Sequence, residues 1–381
     1  MNILIAYFSI GSAHKRMATS LAEYYQSCNP QDTVKLLDFI SDFNIFHFKN
    51  LPNMSMFITS NTFSSFLYDR AWHANKYVHS PIYEALLSAG ISPLSDVINS
   101  FKPDVAITTH VAATNIIAAY KKQHEIHIPH LISVVTDFVV GEFWPLENVD
   151  TYITPSASTQ NILAQRGFSK KHIHVLGMPT HPAFLKKQPA KSRRKKYSIT
   201  DGQPVILVIM GGAAGTAYSR TISKTKELLE QWLAEKRNAR ILICTGKNKT
   251  LKDELESSLN HMCNDITIYG FRSDDEMAEM ISISDLVITK ASGLTISEVL
   301  GSNAALLLIP PFWGQEKGNA VELSSQGCAF TSESTEDAVQ FLTQFTTKKT
   351  LRVRMQNKAK LLSKPSATKD ITELIHSVSL L

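Results

Sequence analysis

The chain has little cysteine. Its 381 residues include four, Cys28, Cys244, Cys263 and Cys328, far apart and without a C-x-x-C. Neither a disulfide framework nor a zinc site is expected, and a reducing compartment is the default. A long apolar run is also missing: nothing approaches the roughly 20 residues that span a bilayer. Met1 opens straight into the strand-like Asn2 to Phe8, without the basic region and apolar core of a secretory signal. Any membrane contact is therefore expected to be peripheral. There is no internal repeat or low-complexity tract, no G-x-x-x-x-G-K-[ST] and no good G-x-G-x-x-G. No spacing argues for a Ser/His/Asp or Cys/His nucleophile. D-x-D is absent, so an acidic metal clamp is not expected and no metal site is assigned. The formal charge of +5 is modest, so basic character is local: seven basic residues and no acid lie between Lys186 and Lys196 (KKQPAKSRRKK). A solvated linker, an anionic lipid surface and nucleic acid phosphates all fit that run.

What is present is an alternation of strands and helices. Strands are expected at Asn2–Phe8, Val34–Phe39, Pro103–Thr109 and His130–Thr136, then at Val205–Met210, Arg240–Thr245, Ile266–Tyr269, Leu286–Thr289 and Ala304–Ile309. Helical periods lie between them, as at His14–Gln26 and Leu251–Leu259. With 44% hydrophobic residues, the length suits two α/β domains with parallel, doubly wound sheets. The expected division is 1–180, a basic linker at 181–200, and 201–364, with a last helix at about 365–381 packing back on the first domain.

Several stretches carry candidate chemistry. Thr289 to Asn319 reads as a strand end, a turn at Gly293, a helix capped by Thr295 with Glu298 in its first turn, a buried strand, and a polar loop with Gln315, Glu316 and Asn319. An ordinary βαβ unit and a polar ligand site both fit it, the latter because such loops leave the carboxyl ends of parallel strands. Gly211 to Gly215, with Gly212, Ala213 and Gly215, is either a tight turn or an anion cradle at a helix N-terminus. His14, at a helix start, can be a cap, a packed ring or a base. The aromatic-rich segment Phe43 to Tyr83 is either packed helices or a lipid-facing lid.

Lys290, Gly293–Glu298, Gly314, Gln315, Glu316 and Asn319 resemble the K-x-G-G-L-T-I-S-E and G-Q-E-x-x-N motifs of the monogalactosyldiacylglycerol synthases and processive diacylglycerol glucosyltransferases. Further matches follow in family order: Gly11–His14 for G-x-G-H, Pro103–His110, Thr136–Phe138, Trp144, Asp150, Gly177–Pro179 and Tyr269–Phe271. Ala13, Ala291 and Ser292 depart from the pattern, as does Gly141-Glu142, where the family carries a histidine. The resemblance implies a GT-B fold, two Rossmann-like domains facing a central cleft. It implies an inverting, metal-independent transfer of a hexose from a UDP-sugar, a co-substrate rather than a cofactor, to diacylglycerol or a glycosyldiacylglycerol.

In that scheme His14 is the base. Gly212, Ala213, Gly215, Phe271, Lys290, Gly293, Leu294, Thr295, Glu298, Gln315, Glu316 and Asn319 hold the donor, with Glu298 on the ribose and Gln315 and Glu316 on the sugar. Phe271 sits at the uracil corner, although a core position also fits it. His110, Asp137 and Trp144 lie on the acceptor side. The implied location is peripheral, on the cytoplasmic face of an anionic membrane, and no nucleic acid partner is expected. A UDP-sugar 2-epimerase and a catalytically weak nucleotide-sugar binder are the alternatives.

Overall fold

A computed structural model describes the chain except residues 44–80, 125–129, 186–189, 211–215, 236–237, 260, 264 and 379–381. The aromatic segment beyond Phe43 therefore lies largely outside the described residues, and Gly212, Ala213 and Gly215 lie wholly outside them. The chain falls into two compact units: residues 1–182 with 313–315 and 366–381, and residues 183–312 with 316–365.

The first unit runs β1 (Asn2–Tyr7), α1 (Ala13–Cys28), β2 (Thr33–Asp38), α2 (Pro81–Phe101), β3 (Val105–Thr108), α3 (Val111–Gln123), β4 (His130–Val134), β5 (Thr151–Ile153), α4 (Ala157–Gln165) and β6 (Ile173–His174). Its strands form one parallel sheet in the order β2-β1-β3-β4-β5-β6. Residues 3–7 of β1 are buried on both faces, which is why the strand is continuously apolar rather than alternating. β5 and β6 have three and two residues, too short to show a period. α2 carries Pro93 inside it.

The second unit contains α5 (Ala190–Lys196), β7 (Val205–Ile209), α6 (Thr216–Leu233), β8 (Arg240–Cys244), α7 (Lys249–Leu259), β9 (Ile266–Tyr269), α8 (Asp274–Ser282), β10 (Leu286–Thr289), α9 (Gly293–Gly301), β11 (Ala305–Leu308), α10 (Gln315–Ser325), β12 (Ala329–Thr331), α11 (Thr335–Thr347) and α12 (Lys349–Leu362). The sheet is again parallel, in the order β12-β11-β10-β7-β8-β9. Trp232, Leu229, Ile241, Leu255, Leu342 and Phe345 are among its fully covered core side chains.

The last helix, α13 (Ala367–Val378), belongs to the first unit. Its Ile371 and Ile375 join Ala18, Leu21 and Tyr25 in one apolar cluster. Thr368 Oγ1 accepts from the Thr180 amide at 2.9 Å and donates to the Thr180 carbonyl at 2.7 Å.

The basic stretch read as a linker is partly helix α5, and much of its charge is used within the second unit. Arg193 is buried and donates to Ser282 Oγ. Arg194 donates to the carbonyls of Thr200 and Gln203 at 3.1 and 3.0 Å. Lys196 pairs with Glu279.

In each sheet the chain first winds one way and then the other. Strand order reverses between β1 and β3 in the first unit and between β7 and β10 in the second. The crevice beyond the carboxyl ends of such strands is where doubly wound sheets bind ligands.

Candidate functional site

Both candidate centres stand at these switch points. In the first unit, His14 lies in the first turn of α1, just after β1, and His110 just after β3. The parallel pairing of β1 with β3 sets Ala6 against Thr108, so the two histidines emerge at the same sheet edge. Their rings meet edge to face with centroids 4.5 Å apart. His14 Nδ1 lies 2.5 Å from the Thr109 carbonyl oxygen, and Thr109 Oγ1 donates to the His14 carbonyl at 3.0 Å.

These contacts define tautomers. A carbonyl only accepts, so His14 Nδ1 carries the proton and Nε2 keeps its lone pair. His110 is the reverse: its Nδ1 accepts from the Ala112 amide at 3.1 Å, capping α3, so the neutral ring carries its proton on Nε2. A proton acceptor and a proton donor thus share one edge. Beneath them Thr108, Thr114 and Ser133 form a buried hydroxyl cluster, with Oγ1–Oγ1 2.7 Å and Oγ1–Oγ 2.8 Å separations. Thr114 also donates to the His110 carbonyl at 3.2 Å.

His14 keeps part of its surface open to solvent, yet dense surroundings push its imidazole down to about 4, with the Thr109 carbonyl pulling weakly the other way. His110 is lowered well below the usual histidine value, mainly by burial and then by His14. Both rings are neutral at physiological pH.

Asp137 follows β4, the strand beside β3, and is half-buried at the same sheet edge. Trp144 is placed differently. It is 5% exposed, its ring set edge-on to Tyr152 at 6.2 Å within the apolar core. A residue that the sequence did not single out organises this region: Arg166 donates to the carbonyls of Gly141 at 3.0 Å, Glu142 at 3.0 Å and Trp144 at 2.9 Å. The turn at Gly141, where the related family has histidine, is therefore held from behind. Neither Thr109 nor Arg166 announces itself in sequence, because both act on backbone carbonyls.

In the second unit, Lys290 to Ser292 leave β10, and Glu316 and Asn319 lie beyond β11, the neighbouring strand; Gln315, which precedes Glu316, is counted with the first unit. The last three are not in a loop; they occupy the start of α10, entered through Gly314 at φ 52°. Lys290 Nζ and Glu316 Oε1 are 2.8 Å apart. Asn319 is fully buried and donates from Nδ2 to the Ala291 carbonyl at 3.0 Å. The two segments are thereby tied into one surface.

The start of α9 also differs from expectation. Ser292, not Thr295, occupies the N-cap position, with no side-chain cap, and the first helical bond is Ile296 N to the Ser292 carbonyl at 3.0 Å. Extra helix at the N-terminal end moves Glu298 into the second turn, where it is 4% exposed. The amides of Gly293, Leu294 and Thr295 precede that first bond, a setting that favours an anion.

Phe271 lies beyond β9 and is 60% exposed, with Lys247 Nζ 5.6 Å from the ring centroid. An exposed aromatic is not core, which removes that reading. Arg272 stacks over Tyr269 at 5.2 Å and pairs with Glu276, and Ser273 and Glu276 close a capping box at the start of α8. Among the described residues no group of three or more His, Cys, Asp or Glu is set to hold a metal ion.

Two family models match the chain. Residues 14–180 match the family model of monogalactosyldiacylglycerol (MGDG) synthase, and residues 206–375 match that of the glycosyltransferase family 28 C-terminal domain. A processive diacylglycerol beta-glucosyltransferase of Bacillus subtilis is 24% identical over 97% of this chain and 94% of its own length. In fold, the chain is similar to Acinetobacter baumannii MurG, with TM-score 0.64 and 15% identity over 99% of each chain. It is equally similar to a UDP-GlcNAc 2-epimerase of Neisseria meningitidis bound to UDP-GlcNAc, with TM-score 0.64 and 16% identity over 99% of this chain and 100% of that one. The architecture is thus that of the GT-B proteins.

Proposed function

From the match of residues 14–180 to the MGDG synthase model and of residues 206–375 to the glycosyltransferase family 28 C-terminal model, we propose that the chain moves a hexose from a UDP-sugar to diacylglycerol or a glycosyldiacylglycerol, with inversion and without a metal. The observation that carries this reading is the His14 tautomer: Nδ1–H committed to the Thr109 carbonyl, Nε2 free to accept. The acceptor hydroxyl gives its proton to Nε2 as its oxygen forms a bond to the anomeric carbon. The bond from that carbon to the UDP phosphate oxygen breaks, and UDP leaves with the electron pair. The Thr109 carbonyl stabilises the imidazolium that forms, since its bond from Nδ1–H strengthens when the ring is charged.

On the donor side, the first-turn amides of α9 and the Lys290 ammonium suit the diphosphate. Glu298 is assigned to the ribose, Gln315 and Glu316 to the sugar hydroxyls, and the exposed Phe271 to the uracil corner. Gly212, Ala213 and Gly215 are assigned to the diphosphate as well.

The epimerase alternative is not favoured. Fold likeness does not separate the two classes, since both score 0.64, whereas the family models favour transfer. The test incubates UDP-glucose, UDP-galactose and UDP-GlcNAc separately with diacylglycerol, with and without a chelator, and reads products by mass spectrometry. Hexosyl-diacylglycerol that survives chelation is expected. No lipid product with any donor, or conversion of the UDP-sugar without acceptor, overturns the reading. The same reading places the enzyme peripherally, on the cytoplasmic face of a membrane.

A further inference from the structure

The basic run that first suggested an anionic surface, Lys186–Lys196, spends Arg193, Arg194 and Lys196 on contacts within its own unit. A different element carries free charge. From Ala338 to Lys369 the chain has no Asp or Glu and eight basic residues, and helix α12 lies within that stretch. Its inner face is set by Met355 and Ala359, which are 4% and 0% exposed. At 100° per residue these centre one side of the helix; Val353, Arg354, Lys360 and Leu361 lie on the far side, and Lys349 and Lys358 on its two flanks. All six are exposed, with Val353 at 44% and Leu361 at 76%. No ion pair engages Lys349, Arg354, Lys358 or Lys360 among the described residues.

Four unpaired cations interleaved with two bare aliphatic side chains, with no acid among them, form an unusual solvent face. Helix α7 of the same unit, by contrast, sets Lys252 beside Glu256. We propose that the outer face of α12 is a docking surface for an anionic bilayer. The cations lie against lipid phosphates while Val353 and Leu361 reach the headgroup boundary. The choice of a bilayer over another polyanion rests on the reading that the acceptor is a membrane lipid; the exposed apolar pair supports it independently, since phosphates alone give Leu361 nothing to bury against.

The test uses the full chain and co-sedimentation with phosphatidylcholine vesicles, either pure or containing phosphatidylglycerol. Each charge near such a surface is worth about fivefold in partitioning. The variant K349Q/R354Q/K358Q/K360Q should therefore lose on the order of several hundred-fold in binding to anionic vesicles. V353S/L361S should lose about tenfold, at unchanged melting temperature. A control with the same charge change on other exposed lysines, K122Q/K170Q/K171Q/K195Q, should bind as the parent does. Equal losses in the control and the α12 variant overturn the assignment, as does parental binding by the α12 variant. Tighter binding of the parent to a DNA oligonucleotide than to anionic vesicles assigns the face to nucleic acid instead.

Transfer to diacylglycerol in neutral detergent micelles separates this inference from the proposed reaction. Retained micellar transfer with lost vesicle binding in the α12 variant supports both. If the parent shows no transfer at all while the α12 variant still loses vesicle binding, the surface stands and the reaction falls.

Discussion

His14 Nδ1 lies 2.5 Å from the carbonyl oxygen of Thr109, a residue 95 positions along the chain and one strand over in the sheet. That single contact selects the tautomer with a free Nε2, and it exists only because β1 and β3 pair in parallel with Ala6 opposite Thr108. Replacing His14 by Ala should lower transfer by about 100-fold to 10,000-fold, the usual range for loss of a general base. UDP affinity should hold, because the residues proposed for the nucleotide, Glu298 and Phe271 among them, lie in the other unit. Parallel losses of donor affinity, melting temperature and turnover would instead make His14 a structural residue.

His14 also makes a pH prediction. Its folded value of about 4 lies below the ordinary histidine value of about 6.5, so the unfolded chain binds the proton more readily. The stabilisation from the neutral ring is complete above about pH 6.5 and is lost as pH falls toward 4. The loss is on the order of 3 kcal/mol before discounting for the partial exposure of the ring, and His110 adds in the same direction. Urea unfolding of the parent and His14→Gln between pH 7 and pH 4 should show the variant with the shallower decline. Parallel declines would refute the shift.

Asn319 is a test of the donor surface. Its Nδ2 reaches from α10 to the Ala291 carbonyl while its side chain is fully buried, so Asn319→Ala leaves a buried carbonyl short of a donor at a cost of about 1–3 kcal/mol. Reduced stability by denaturant titration and weakened UDP binding by calorimetry are expected together. Normal values of both would show that the tie between α9 and α10 is dispensable.

Glu298→Gln preserves shape and removes charge at a position 4% exposed. A carboxylate accepting from ribose hydroxyls is worth about 1.5–3 kcal/mol, so UDP affinity should fall between 10-fold and 200-fold with the fold intact. Calorimetry that shows parental affinity removes Glu298 from the ribose site.

Arg166→Ala should act on the acceptor side alone. Its guanidinium serves three carbonyls between Gly141 and Trp144, and a charged donor in such bonds contributes about 1.5–3 kcal/mol. The expected result is a drop in melting temperature and a raised KM for the lipid acceptor, with donor affinity unchanged. A variant with unaltered melting temperature and acceptor KM would show that the turn holds itself.

The sequence alone determined the strand and helix alternation, because strands buried on both faces must be continuously apolar; Val205–Ile209 and Leu286–Thr289 were legible for that reason. It also carried the motif residues Lys290, Glu298, Glu316, Asn319 and His14. Short elements escaped it: Thr151–Ile153, Ile173–His174 and Ala329–Thr331 hold too few residues for a period, and pairing with neighbouring strands rather than local preference makes them strands. Local reading also misplaced the start of α9, since a serine with no side-chain cap gives no signal. It took Gln315–Asn319 for a loop, because a mostly polar opening turn resembles one.

Whether Phe271 is bare or covered, whether Trp144 is core, and which basic residues are already paired are questions of which surfaces meet. Only the tertiary structure decides those. The pairing of His14 with Thr109 belongs with them: a carbonyl 95 residues away has no side-chain identity to read, and only the folded sheet brings it to the ring.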